Sequence, residues 1–348
     1  MSEQAIRDAF RWQAGFATRS DSPVTMRVCQ ALADRLDWST ELGRRVLDWL
    51  GNPIADALPL RVAGGLHALV RGGRAPALAE VYRGEVVDPA AVADAVSDAI
   101  RRYDRDLLGW LAGPPQTNEP GRSAVLMAGL LVLAARFGLP FELLEIGSSA
   151  GLNLLIGRYG FDLGGVRAGP EAAELGFRPT WQGCPPPKAE VRIASVRGVD
   201  VAPIDLADAV QAARLTSYVW PDQVDRLDRL GAAIALARAH PPRLEQGDAA
   251  DWVATRLAEP QAAGTTRVLM HSVVWQYLPP ATQVRIEAAT VQAGAAATRE
   301  RPLAWLAYEG ARDLNQHGLV LRAWPGGGTP ERLATAHAHG AWIRWEAA

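Results

Sequence analysis

The sequence predicts an α/β protein: a mostly parallel sheet with antiparallel C-terminal strands, preceded by an N-terminal helical region. Three observations lead there. The first 140 residues carry helix starts and helix-spaced apolar stripes. From residue 141 onward short apolar runs alternate with helical patterns, the texture of a parallel sheet covered by helices. The last apolar runs follow one another closely, which makes that end antiparallel. With 348 residues, 49% of them hydrophobic and 21% charged, the chain can bury a sizeable core.

The elements follow in order. Ser22 can cap a helix and Pro23 suits its first turn; Val24, Val28, Leu32 and Leu36 then fall on one stripe. Pro89 opens a long helix, PAAVADAVSDAIRRYDRDLLGWLAG, which Gly113-Pro114-Pro115 stops. After the polar turn QTNEPG, the run SAVLMAGLLVLAARFG is apolar on nearly every face, as a buried helix is. FELLEI, between Pro140 and Gly147, reads as a buried parallel strand. Further strands are expected at EVRIASVRGVD (190–200), RLEQGD (243–248), RVLMHSVVW (267–275), PLAWLAYEG (302–310), LVLRAWP (319–325) and AWIRW (341–345). Helices VDRLDRLGAAIALARAH and ATQVRIEAATVQAGAAA lie among them. The Gly- and Pro-rich segment 160–189 reads as an insertion, with hairpin signals around FDLGG and PTWQG. The expected division is a helical, substrate-covering region at 1–140 and an α/β domain at 141–348.

Several function classes are disfavoured early. A net charge of −2 gives no basic field for nucleic acid or an anionic membrane. Two cysteines, Cys29 and Cys184, make no disulfide framework and fit a reducing cytoplasm. The opening MSEQAIRDAFRWQ has charges and no apolar core, so it is not a signal peptide. The apolar stretch Ala124 to Ala135 is shorter than the roughly 20 residues that span a bilayer.

Residues 143–153, LLEIGSSAGLN, carry the chemistry. An apolar strand runs through Glu145 into Gly147, Ser148, Ser149, Ala150 and Gly151, and a helix-like segment follows. One reading is a nucleophile elbow, G-x-S-x-G, with Ser149 at its apex and Asp248 and His337 or His339 as partners. Against it, a helical region stands where a hydrolase lays down its first strands. The other reading is a cofactor cradle: glycines let the backbone turn and a ligand approach, and the following helix points its free N–H groups at it. A plain tight turn is the third. RGVDVAP reads as a strand ending in Asp200, whose carboxylate can accept ribose hydroxyls, and QGDAADW as one ending in Asp248. Parallel sheets bind ligands at the carboxyl ends of their strands, so these turns should converge.

Together these motifs resemble the class I S-adenosylmethionine-dependent methyltransferases, over about residues 143–345. The resemblance implies a Rossmann-like, methyltransferase-like sheet and S-adenosylmethionine as cofactor. It implies that Glu145, Gly147 and Gly151, with Ser148 and Ser149 between the glycines, surround the cofactor's amino-acid part and ribose. Asp200 matches the ribose acid, and Asp248 with Ala249 the adenine site. The phrases LLEIGSSAGLNLL, VWPDQVDRL, GDAADW and HSVVWQYLP also resemble a bacterial family of unknown function, over almost the whole chain. That second likeness implies a methyltransferase-like fold and supplies no activity. One departure stands out: Asp200 lies farther past the glycine turn than the roughly 20 residues usual for a ribose acid. The insertion accounts for it, or else the acid is Asp222 in WPDQ, whose alternative is to cap the helix after Pro221. Asp200 is favoured because GVDVAP reads as a strand end.

For methyl transfer the enzyme aligns donor and acceptor, excludes water and in some cases removes a proton. HSVVWQYLP offers His271 as a general base or as a pocket-shaping group, and Tyr277 at the same mouth. Trp275 and Tyr277 can stack on adenine or substrate, or simply pack. Asn118 and Arg122 flank the polar turn before the buried helix; Arg122 can hold a carboxylate, while Asn118 or Glu119 can cap the helix. Asn153 can reach the cofactor, with Tyr159 as packing, and Glu309 ends a strand either in the cleft or in solvent. His337 and His339 share a strand face but lack a third metal ligand. The expected function is S-adenosylmethionine-dependent methylation of a small-molecule acceptor, with a serine hydrolase, another nucleotide-linked enzyme on a similar sheet or a non-catalytic cofactor-binding protein as rivals.

Overall fold

The computed structural model describes residues 2–310 and 316–347. In chain order its helices are α1 (Glu3–Arg19), α2 (Pro23–Arg35), α3 (Glu41–Leu47), α4 (Leu58–Arg71), α5 (Pro76–Tyr82), α6 (Pro89–Arg102), α7 (Asp104–Leu108), α8 (Arg122–Phe137), α9 (Ala209–Ser217), α10 (Val224–Ala239), α11 (Ala249–Ala258) and α12 (Pro280–Ala295). Its strands are β1 (Phe141–Ile146), β2 (Gly160–Leu163), β3 (Val166–Ala168), β4 (Gly176–Phe177), β5 (Thr180–Gln182), β6 (Ile193–Asp200), β7 (Leu244–Gln246), β8 (Thr266–Ser272), β9 (Leu303–Glu309), β10 (Gln316–Trp324), β11 (Glu331–His337) and β12 (Trp342–Trp345). The chain forms two compact units, Met1–Thr117 with Asp208–Gly231, and Asn118–Ala207 with Ala232–Ala348. The division therefore falls at residue 117 and not at 140, and the helical unit also takes in residues 208–231. Helix α8 explains the shift: apolar all round, it needs cover on every side, and it belongs to the sheet unit.

In the helical unit the stripe Val24, Val28, Leu32 and Leu36 is buried as its spacing predicts. Two local expectations are corrected. Ser22 does not cap α2 with its side chain. Both oxygens of Asp222 do so instead, accepting from Val24 N at 2.8 Å, Thr25 N at 3.1 Å and Thr25 Oγ1 at 3.1 Å. A carboxylate satisfies more of the free N–H groups than a hydroxyl can and complements the helix dipole. The single long helix expected after Pro89 breaks at Tyr103 into α6 and α7. There Asp104 turns its carboxylate onto the first N–H groups of α3, Glu41 N and Leu42 N, both at 2.7 Å.

In the other unit nine strands form one sheet in the order β5-β12-β11-β10-β9-β8-β1-β6-β7. Pairings β7–β6, β6–β1, β1–β8 and β8–β9 are parallel, while β9–β10, β10–β11 and β11–β12 are antiparallel. Counted from β1, the six strands from β7 to β10 follow the 3-2-1-4-5-6 order of doubly wound Rossmann sheets, with the last antiparallel. The order reverses between β1 and β8, the switch point where such sheets bind ligands. Helix α8 comes close enough to β9 that a Cβ on Gly129 would lie 2.6 Å from Leu306 Cδ1.

Strand β11, ERLATAH, was not expected, because alanine is a poor strand former and hides the alternation. In the insertion, FDLGG does form a hairpin, β2 with β3. The PTWQG segment forms none: β5 joins the edge of the large sheet, parallel to β12, and Trp181 stacks on Trp345 with centroids 5.6 Å apart. Among the described residues no helix is long and apolar enough to cross a membrane.

Candidate functional site

The glycine turn sits on the carboxyl end of β1, beside the switch point. Three of its five residues adopt positive φ: Gly147 at 65°, Ser149 at 53° and Gly151 at 73°. Its backbone donors are largely taken by the protein itself. Ser148 N donates to Val199 O at 3.1 Å and Gly151 N to Ser148 O at 2.7 Å. Ser149 N donates to Asp200 Oδ2 at 2.8 Å, and Leu152 N to Asn118 Oδ1 at 2.8 Å. The segment that follows is a 3-10 helix, Leu152–Arg158, rather than the expected α-helix. The N–H that should have faced a ligand at its start is bound by Asn118.

Asp200 and the turn therefore do meet. The carboxylate is half-buried, and its other oxygen accepts from Ala202 N at 2.9 Å. Gly247 N, one residue before Asp248, donates to Asp200 O at 3.0 Å, which brings the end of β7 alongside. Asp248 itself caps α11, accepting from Ala250 N at 2.9 Å and Asp251 N at 3.0 Å, with Ala249 buried behind it. Asp222 lies in the helical unit with both oxygens on α2.

Beneath the turn, Glu145 is 1% exposed. Its Oε1 accepts from Asn153 Nδ2 at 3.2 Å, and the same amide donates to Ser272 Oγ at 3.3 Å. Ser123 Oγ, on the first turn of α8, donates to Asn153 Oδ1 at 2.9 Å. Burial pushes the Glu145 carboxyl up to about 8, against the smaller opposing pull of the Asn153 amide. Burial thus favours its protonated form. Glu145 Oε2 and Ser149 Oγ are buried with no protein partner.

The other predicted residues divide by sheet face. Strand alternation puts His271 and Glu309 on the face of Leu269 and Trp305, which packs on α11 and α12, away from Glu145. His271 is 1% exposed, so it does not stand open at a mouth. Its Nδ1 meets Glu309 Oε1 at 2.7 Å, and its ring stacks on Trp275, centroids 5.2 Å apart, next to Trp305 at 6.0 Å. Glu309 is not a free strand end either: the same oxygen accepts from Val274 N at 3.0 Å and Trp275 N at 3.2 Å. Tyr277 is 54% exposed, in the 3-10 turn Trp275–Tyr277. Arg122 is buried, and its Nε donates to a carbonyl, Ala338 O, at 3.0 Å. Tyr159 packs fully buried with its hydroxyl on Leu152 O at 2.8 Å. Glu119 accepts from Gly121 N at 3.0 Å.

The elbow reading needs an imidazole near Ser149. His337 stands at the end of β11, four strands from β1 and so roughly 19 Å away by strand spacing. His339 N donates to His337 Nδ1 at 3.2 Å. Among the described residues no group of three His, Cys, Asp or Glu is placed to hold a metal ion.

Sequence reasoning missed Ser123, Ser272 and Val274. Only Ser272 left a signal: it follows His271 and so must face the opposite side of the sheet, toward Glu145. Val274 packs on Gly147 so closely that a Cβ there would lie 2.2 Å from its Cγ2.

Residues 7–345 match a protein family described as "Uncharacterized protein conserved in bacteria (DUF2332)". Comparison with curated proteins finds no match.

Proposed function

The chain belongs to this family of uncharacterized bacterial proteins, and we propose that it binds S-adenosylmethionine at the glycine turn and methylates a small-molecule acceptor. The observation that carries the reading is the Asp200 carboxylate seated on Ser149 N at the switch point of a Rossmann-like sheet, beside the unpartnered Glu145 Oε2 and Ser149 Oγ. Asp200 keeps lone pairs free to accept ribose hydroxyls. Glu145 and Ser149 would take the polar amino-acid end, and the turn at Asp248-Ala249 the adenine. When bound, the cofactor supplies a sulfonium methyl group that leaves by in-line displacement; the protein's task is alignment and exclusion of water. The two free cysteines, one of them exposed, agree with a cytoplasmic location.

Titration calorimetry with S-adenosylmethionine and S-adenosylhomocysteine tests this. We expect saturable binding by the wild type, weakened about tenfold in Asp200→Asn, a loss of about 1.4 kcal/mol. Wild-type protein that gives no binding heat at millimolar ligand contradicts the proposal.

A further inference from the structure

The segment after β8 is held in an uncommon conformation. Val273 has φ 56°, in the left-handed region that β-branched residues rarely enter. The turn is nonetheless tied down. Val273 N donates to Tyr308 O at 3.0 Å, and the next two N–H groups, Val274 and Trp275, converge on Glu309 Oε1. His271 Nδ1 reaches the same oxygen at 2.7 Å. Two backbone N–H donors and an imidazole nitrogen gathered on one oxygen suit an ionised carboxylate, whose hydrogen bonds are the strong ones. The product of the strained turn is the placement of Val274, whose methyl occupies the space where Gly147 lacks a side chain.

We propose that Glu309 is a positioning residue: it latches the strained turn at Val273 so that Val274 forms a fixed wall of the glycine turn. Without three donors gathered on one anion, Val273 would relax out of the left-handed region and swing Val274 off Gly147. Backbone strain persists only where its surroundings over-determine it, and such places cluster at ligand clamps. The latch stands on its own geometry; its bearing on cofactor binding rests on the function proposed above.

The test compares full-length wild type with Glu309→Gln by amide hydrogen exchange. A neutral amide holds three donors poorly, so Val274 and Trp275 should exchange at least about tenfold faster, while Leu269 and Met270 in β8 keep wild-type rates. Unchanged exchange at Val274 and Trp275 overturns the latch. If the variant does not fold, ring-nitrogen NMR of wild-type His271 decides: Nδ1 should carry a proton toward Glu309, and an unprotonated Nδ1 overturns the proposal. S-adenosylhomocysteine then serves as a probe. Where wild type binds it, Glu309→Gln should bind at least about tenfold more weakly; fast exchange with unchanged affinity overturns the positioning role. Wild type that fails to bind it strikes the methyltransferase reading, and the exchange result still judges the latch.

Discussion

Glu145 and Glu309 end parallel strands of one sheet, with β8 between them, and both are withdrawn from water, yet they hold opposite charge states. Glu145 has one amide donor on one oxygen and none on the other; burial dominates and lifts it to about 8. For Glu309 burial again pushes upward, but the hydrogen bond and charge of His271 and the N–H groups of Val274 and Trp275 outweigh it and hold the acid below its ordinary range. Burial alone therefore does not decide whether an acid ionises; the supply of donors does. One face of the sheet holds the raised Glu145 acid beside the Ser149 hydroxyl. The other holds an anion that fixes a turn.

The largest expected effect is one of pH. The Glu145 carboxyl is raised from an ordinary 4.5, so its contribution to stability is complete below 4.5 and drains away as pH rises to about 8. The slope for this group alone is about 1.4 kcal/mol per pH unit. Glu309 is lowered, so its contribution is present above 4.5 and is lost as pH falls through its folded value. His67, depressed to about 4 by burial, adds an opposite slope between there and 6.5, so the difference between proteins is the useful quantity. Urea unfolding across pH should show Glu145→Gln flattening the fall in stability between 4.5 and about 8 relative to wild type, leaving the acid limb alone. Parallel pH profiles for the two proteins would mean that Glu145 ionises normally and that the contrast is absent.

The two acids were not equally legible in the sequence. Glu145 announced itself, because a strand running into a glycine-bracketed turn is a local pattern, and the mostly parallel α/β class followed from apolar runs alternating with helices. Asp200 was legible as a strand end, and the structure does set it on the turn. What the sequence did not expose was contact across long separations. The pairing of His271 with Glu309 spans 38 residues, and Asp222 capping α2 spans 198. Neither leaves a spacing rule. Strand β8 read three residues too long, since His-Ser-Val-Val-Trp continues its apolar texture while Val273 in fact turns the chain.

A smaller effect should come from the point where the two regions touch. At Gly147 a methyl group would meet Val274 Cγ2 at 2.2 Å, and φ is 65°. Overpacking costs about 1–3 kcal/mol and the left-handed region about 1–2 kcal/mol for a residue with Cβ. Gly147→Ala should therefore lose about 2–5 kcal/mol in urea unfolding. Adding Val274→Ala removes the collision and leaves the backbone penalty, so the double variant should be more stable than the sum of the single losses by about 1 kcal/mol or more. Strict additivity would show that Val274 does not rest on Gly147, and the turn latched by Glu309 would then have no bearing on the glycine turn.

The smallest change concerns the strain itself. Asparagine enters the left-handed region far more readily than valine, and unlike glycine it adds little freedom to the unfolded chain. Val273 is half-buried, so a polar replacement can keep its amide in water. Val273→Asn should thus hold the same turn at lower cost and gain about 0.5 kcal/mol, with amide exchange at Val274 and Trp275 slower than in wild type. A loss of about 1 kcal/mol or more would mean that the valine side chain, and not the Glu309 carboxylate, holds the turn in place. The two acids would then differ in protonation alone, without the mechanical role that sets Glu309 apart.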